Sequence, residues 1–251
     1  MKTVVIANQK GGVGKTSTLF HLAHDFKERG LRVSVVDLDT QGNASFSLQE
    51  YEGDITASHA LRGEVHEVAL PPDGAMVVIV ADDDLADNER IPLGEVIEGL
   101  RATVAALEKA GFDICLIDTP PSMGNSLTAS LAVADYVLTP IEMAIYSTKG
   151  VQKMDAIISN VRDLNPKLHW LGLLPSKVDR RNPRHVAHLN ELRENHPDLI
   201  LPLEIGLRSS IAEAIESGVP VWRVKKTAAR KASAELHALA DYVFTQMEID
   251  A

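Results

Sequence analysis

The chain has 251 residues, of which 45% are hydrophobic and 24% charged, with a single cysteine and a formal net charge of −10. One cysteine excludes an internal disulfide and fits a reducing compartment, and no apolar run approaches the ~18 residues of a membrane-spanning helix. The acidic balance alone argues against a nucleic-acid partner, but it is uneven: residues 1–175 carry 14 Lys/Arg against 24 Asp/Glu, residues 176–231 carry 11 against 7, and residues 232–251 carry 0 against 4. A basic surface can therefore gather in the last third of an acidic protein.

No Ser/Gly tract, Pro-rich spacer or repeat marks a boundary, so one α/β domain over residues 1–251 is expected. Met1 leads directly into the first apolar run, which predicts no signal peptide and a soluble, cytoplasmic protein. That run, Thr3-Val4-Val5-Ile6-Ala7, predicts a strand. Leu19, Phe20, Leu22, Ala23 and Phe26 recur at helical spacing and predict a helix from about Thr16 to Arg29, stopped by Gly30. His21 and His24 lie on it, with no acidic or cysteine pattern nearby to suggest a metal, and are expected to pack or to lie at the surface.

Between strand and helix stands Lys10-Gly11-Gly12-Val13-Gly14-Lys15-Thr16, then Ser17. Strand, glycine loop and helix N-terminus in that order is the context a phosphate-binding loop requires. Glycines let consecutive N–H groups turn inward toward an anion, and the helix start adds unpaired donors and the positive end of its dipole. Lys15 is expected to reach the β/γ-phosphates, and the Thr16 hydroxyl to ligate Mg²⁺. The usual first glycine of this motif is missing and a second lysine, Lys10, opens the loop, so the match is to a variant form.

A second strand, Arg32–Asp37, ends in Asp37-Leu38-Asp39-Thr40-Gln41-Gly42-Asn43. Carboxylates at the C-terminal end of a parallel strand lie where α/β proteins bind ligands, so Asp37 and Asp39 are candidates for a metal-bound phosphate. The polar Gln-Gly-Asn suits a loop that reorganises with the γ-phosphate. Ile55–Leu61 predicts a short helix, Ala75–Val80 a strand, and Asp82-Asp83-Asp84 a solvated loop; a helix from Leu93 to Lys109 follows. The apolar strand around Ile114–Ile117, with Cys115 buried in it, ends in Asp118-Thr119-Pro120-Pro121, a Walker B arrangement whose carboxylate orders water on Mg²⁺ and whose prolines place Thr119 near the γ-phosphate. Tyr136–Pro140 and Leu168–Leu174 predict strands around a helix from about Thr148 to Leu164. Pro175–Asp179 lies where such folds recognise the base. A helix of about His185–Glu194 follows, and Ile200–Pro202 predicts a short strand. Ser210 and Glu213 read as a capping box, and the last helix ends near Gln246. Arg223, Lys225, Lys226, Arg230 and Lys231 cluster around its start.

Taken together, the glycine loop, Asp37-Leu38-Asp39-Thr-Gln-Gly-Asn and Ile117-Asp118-Thr-Pro-Pro-Ser resemble the ParA/Soj family of DNA-partition ATPases, over nearly the whole chain. The likeness is to the short members without an N-terminal helix-turn-helix, in the deviant Walker A (SIMIBI) class that also holds MinD and the nitrogenase iron protein. The resemblance implies a P-loop NTPase fold with a mostly parallel twisted sheet between helical layers, ATP and Mg²⁺ as ligands, and slow intrinsic hydrolysis. It implies an ATP-bound sandwich homodimer in which Lys10 reaches the partner's phosphates. Lys15 would grip phosphate, Asp39 orient the attacking water, and Thr16, Asp37 and Asp118 serve the metal. Pro202 would sit near the adenine. Arg181 matches a DNA-contacting arginine and Arg208 lies near a second; with Lys225, Lys226, Arg230 and Lys231 they form the expected face for non-specific double-stranded DNA on the nucleoid. A ParB-type centromere-binding partner would trigger hydrolysis. Thr40 departs from the family's usual proline.

Other readings differ in identifiable features. A MinD-like membrane ATPase would need a basic, amphipathic C-terminal helix, and the tail from Asp241 onward has no Lys or Arg. An iron–sulfur reductase would need two thiolates per chain, and an amidoligase a substrate pocket. A nucleotide-gated scaffold with negligible hydrolysis would not need Lys10 and Asp39.

Overall fold

A computed structural model describes residues 1–70, 75–143 and 147–248. Its centre is a seven-stranded sheet in the order β3-β4-β2-β5-β1-β6-β7, formed by Lys2–Ile6 (β1), Val33–Asp37 (β2), Glu52–Thr56 (β3), Met76–Val80 (β4), Ile114–Asp118 (β5), Tyr136–Glu142 (β6) and His169–Ser176 (β7). Every pairing among these strands is parallel. Parallel strands need crossovers, and helices supply them: Lys15–Glu28 (α1), Asn43–Ser47 (α2), Ala57–Arg62 (α3), Leu93–Ala110 (α4), Asn125–Val133 (α5) and Ser147–Val161 (α6). After β7 come Pro183–Asn195 (α7), Ser209–Glu216 (α8) and Ala229–Gln246 (α9).

Side chains alternate across each strand, so each buries two faces. Val4, Ile6, Val33, Val35, Ile114 and Leu116 pack against α1, α8 and α9. Val5, Ala7, Val36, Cys115 and Ile117 face the layer of α3, α4, α5 and α6. The central strands are apolar throughout for this reason. Cys115 is sealed in this core, and burial pushes its thiol up to about 12. The register sets Asp37 level with Asp118 across β2 and β5, and Ile6 level with Asp118 across β1 and β5, so the strand ends open onto one edge.

Several local expectations are corrected. Strand β3 runs to Thr56 and α3 begins only at Ala57, so residues 55 and 56 are extended. Helix α5 carries no periodic signal strong enough to stand out in the sequence: its buried positions include Ser126, Ala129 and Ser130. Ser210 does not cap α8; Arg208 holds the N-cap position without a side-chain bond, and the Ser210 hydroxyl is buried. Thr119 faces inward, its hydroxyl donating to the Ile6 carbonyl at 2.9 Å. The Asp82–Asp84 stretch is only partly a solvated loop. Asp82 accepts from the Ser58 amide and hydroxyl at the start of α3, and a 3-10 turn over Asp83–Arg90 carries Glu89 to the N-terminus of α5. There Glu89 accepts from the backbone N–H groups of Asn125 (2.8 Å) and Ser126 (3.3 Å). Carboxylates from a distant segment thus satisfy helix-start donors that local residues leave open.

The paired histidines of α1 do pack. The His21 Nδ1–H donates to the Ser17 carbonyl, and its Nε2 accepts from the Val221 N–H, an arrangement that requires the neutral ring. Burial lowers its pKa from 6.5 to about 4. An unfolded chain would take up this proton below pH 6.5 and the folded chain would not. Stability therefore falls as the pH drops from 6.5 toward 4, by about 3 kcal/mol for this group at the lower limit. Urea unfolding of His21→Leu against the parent, between pH 7 and 4, is expected to show a shallower slope in the variant, the remainder coming from His24, whose pKa burial lowers to about 3. Separately, Glu89→Ala is expected to lower the urea midpoint by roughly 1 kcal/mol of stability without changing the m-value.

Candidate functional site

The glycine loop sits at the C-terminal end of β1, between the ends of β5 and β6. Gly12 and Gly14 adopt left-handed φ of 73° and 97°. At Gly14 conformation and space agree, since a Cβ there would meet the Ser176 hydroxyl at 2.9 Å. Val13 is buried and anchors the loop. Asn8 braces its start, its side-chain amide donating to the Pro140 carbonyl at 2.7 Å and its oxygen accepting from the Lys10 N–H at 2.9 Å.

Past the loop lies a cavity of about 670 Å³. Gly11, Gly12, Gly14, Lys15, Thr16 and Ser17 line one end of it, with Asp39 and Pro121. Lys15 is 7% exposed; burial lowers its pKa, opposed by the charges of Asp118 and Asp39. Thr16 Oγ1 donates to Asp118 Oδ2 at 2.6 Å. Asp118 is fully buried, and burial together with the neighbouring Asp37 carboxylate pushes its pKa up to about 7. Its other oxygen, Oδ1, is buried and makes no hydrogen bond among the described residues. A hydroxyl beside a carboxylate with a spare oxygen, at the mouth of a phosphate loop, is a hard donor set that fits Mg²⁺ and its water ligands.

Asp37 is placed differently from the expectation. Its Oδ2 accepts from the amide and hydroxyl of Ser45, both at 2.8 Å, and its Oδ1 from the Asp39 N–H at 3.1 Å. With both oxygens engaged and the side chain fully buried, it shapes the Asp39 turn and raises Asp118 by its charge, rather than presenting a ligand atom. Asp39 itself reaches the cavity, its Oδ1 holding the Gln41 amide. Lys10 stands outside the cavity, half exposed, with its Nζ on Glu142 Oε2 at 2.5 Å.

The far wall of the cavity is largely apolar and, Arg208 apart, is built by residues not singled out in the sequence. Ile205, Gly206, Leu207 and Arg208 form one side, with Ile211 and Ile215 of α8, while Phe46 of α2 stands 65% exposed at the rim. Pro202 is solvent-exposed and outside this lining, and residues 205–208 line the cavity instead. The segment is held by pairing with the β7 exit: Val178 N–H donates to Ile205 O at 3.0 Å and Leu207 N–H to Val178 O at 3.0 Å. Ser176, the last residue of β7, and Lys177 just after it also line the cavity, and Lys177 takes a left-handed φ of 54°. Isolated backbone bonds to residues distant in sequence carry this packing, which is why periodicity did not reveal it.

The basic residues divide. Lys225, Lys226 and Arg230 surround a recess of about 340 Å³ before α9, with Lys231 next on that helix. Lys225, Arg230 and Lys231 make no ion pair among the described residues, whereas Lys226 pairs with Glu213 and Arg223 with Glu28. Arg181 is 88% exposed on the loop into α7, steadied only by Asp179 two residues earlier. Arg208 is 24% exposed, paired with Glu235, and turned to the nucleotide cavity.

Comparison with known proteins decides the family. A family model described as an AAA domain matches residues 1–170. Protein IncC of Escherichia coli is 54% identical over 99% of this chain and 71% of its own length. The chromosome-partitioning ATPase Soj of Thermus thermophilus is 36% identical, covering 87% of this chain and 86% of Soj. The chain belongs to the ParA/Soj family of partition ATPases. Among solved structures, cobyrinic acid a,c-diamide synthase of Mycobacterium smegmatis with bound ATP analogue and magnesium has a TM-score of 0.79 at 28% identity, covering 99% of this chain and 96% of that one. As a member of the family the chain is a P-loop ATPase.

Gly14→Ala is expected to cost about 1–3 kcal/mol, from the left-handed φ and the Ser176 approach together. Adding Ser176→Gly should recover the steric part alone, leaving the double variant between the parent and Gly14→Ala in a thermal melt.

Proposed function

We propose that this ATPase is a nucleotide-gated DNA-segregation switch. The observation that carries the reading is the convergence of Lys15, Thr16 and Asp39 on one end of a nucleotide-sized cavity, with Asp118 buried behind Thr16, in a chain that also gathers Lys225, Arg230 and Lys231, none of them ion-paired among the described residues, around the start of α9. Mg²⁺, when bound, would supply neutralisation of the phosphate charge. Thr16 and Asp118 would hold it, and loss of the Asp118 proton, easy from a pKa near 7, would accompany binding. Lys15 holds the phosphates, and Asp39, aimed into the cavity by Gln41, orients the attacking water.

Lys10 takes part across a homodimer interface. In the single chain it is held by Glu142, so reaching a partner's phosphates means giving up that exposed pair, which costs little. Dimerisation brings two copies of the basic surface together. Weak binding by one surface becomes firm binding by two, and DNA binding follows ATP. Contacts of Lys225, Arg230, Lys231 and Arg181 with phosphate oxygens position the protein without reading bases. A ParB-type partner stimulates hydrolysis and release, and the ATP-bound form resides on the nucleoid.

The test is binding to non-specific duplex DNA with no nucleotide, ADP or ATP–Mg²⁺ at two salt concentrations. ATP-only, salt-sensitive binding is expected, abolished by Lys15→Ala and weakened by Arg181→Ala, with each lost phosphate contact lowering the salt slope by about 0.9. Binding that ignores nucleotide would overturn the gating. Lys10→Ala is expected to bind ATP normally while losing hydrolysis by about 10³-fold or more, as for a charge supplied in trans.

A further inference from the structure

Glu235 lies on α9 between two cations of different location. On one side, its Oε2 accepts from the Gly206 N–H at 3.0 Å and from Arg208 Nε at 3.2 Å, and its Oε1 from Arg208 Nη2 at 2.6 Å. On the other stands Lys231, four residues earlier on the same helix and therefore on the same face, within reach of an ion pair. In the structure the carboxylate belongs to Arg208: the pair is mostly buried, with 24% and 16% of the two side chains exposed, and Lys231 has no ion-pair partner among the described residues. The guanidinium lies directly over Gly206, where a Cβ would meet its Nη2 at 2.8 Å, so the glycine is part of the arrangement.

We infer that Arg208 is not a DNA contact but a positioning residue, one that keeps Lys231 and the basic end of α9 available to phosphate by holding Glu235 to itself. The inference rests on the DNA-binding reading above. Its physical basis is charge partition. With Arg208 present, Glu235 is neutralised locally and drawn toward the loop that walls the nucleotide cavity. With Arg208 gone, a single N–H bond from Gly206 remains. A full negative charge is then left within reach of Lys231, which it screens or pairs. Each protomer's basic face loses about one effective charge although no phosphate-contacting side chain has changed. Arg208 is also part of the cavity lining, which places this carboxylate between the nucleotide site and the DNA face.

A double-mutant cycle on ATP-bound full-length protein separates this from direct contact. Arg208→Ala is expected to weaken binding to a non-specific duplex by roughly threefold to tenfold and to lower the salt slope, as loss of about one phosphate contact per protomer would. Glu235→Gln alone should bind at least as tightly as the parent. Arg208→Ala with Glu235→Gln should return to parental affinity or better, because the charge that Arg208 restrained is gone. A double variant as weak as Arg208→Ala, or an Arg208→Ala protein with undiminished DNA affinity, would overturn the inference. Arg208→Met, which keeps most of the apolar stem, replaces Arg208→Ala throughout if the alanine variant melts early. Failure of the parent to bind DNA would sink the underlying reading instead, and is a distinct outcome.

Discussion

A carboxylate sealed at the end of the central strands governs the site. Asp118 is fully buried, yet one of its oxygens holds Thr16 and the other has no hydrogen-bond partner among the described residues. Such an arrangement is costly in an apolar interior unless a cation or a proton resolves it. Lys15 and Thr16 stand beside it because α1 starts where the glycine loop ends. Asp37 stands beside it because the parallel register sets β2 and β5 level. The high proton affinity of Asp118 and the buried Lys15 ammonium are two sides of the same burial. A divalent cation with phosphate resolves both together, which is the physical sense in which this fold is built around its nucleotide.

The excess of acid has structural uses that its distribution along the chain hides. Asp82 and Glu89 serve the starts of α3 and α5, Asp37 shapes the turn that carries Asp39, and Glu204 holds Arg180 and Arg193. Glu28, Glu213 and Glu235 each take a cation from the basic C-terminal third. The positive surface is consequently smaller than the sequence count suggests, and it is concentrated in residues whose acidic neighbours are engaged elsewhere. Specific pairing, and not net charge, sets which cations face solvent.

Helix α1 binds these parts mechanically. Its N-terminus faces the phosphate cavity, while its body packs against α9 and the turn at Val221–Arg223 through His21, Phe20 and Trp222. Asp25 on the same helix receives His237 of α9 at 2.6 Å and Arg29 at 2.5 Å. The nucleotide end and the basic end of the molecule are thus mounted on one helix and joined through packed, hydrogen-bonded contacts.

Local patterns in the sequence by themselves determined the strand–loop–helix of the phosphate site, the identities of Lys15, Thr16, Asp39 and Asp118, and the alternation of strands and helices that makes the sheet parallel. These are legible because each depends on neighbours a few residues away: glycines that permit left-handed backbone, an apolar run ending in a carboxylate, a 3.6-residue period. Only the tertiary structure decided what depends on distant partners. It engaged Asp37 through Ser45, left Pro202 outside the cavity and put residues 205–208 there, turned Asp82 from a loop charge into a helix cap, and brought Glu89 to the start of α5. It also assigned Arg208 to Glu235. The reason is the same in each case: hydrogen bonding and charge neutralisation act through space over a few ångströms, and the partners that satisfy them here are separated by 8 to 37 positions along the chain.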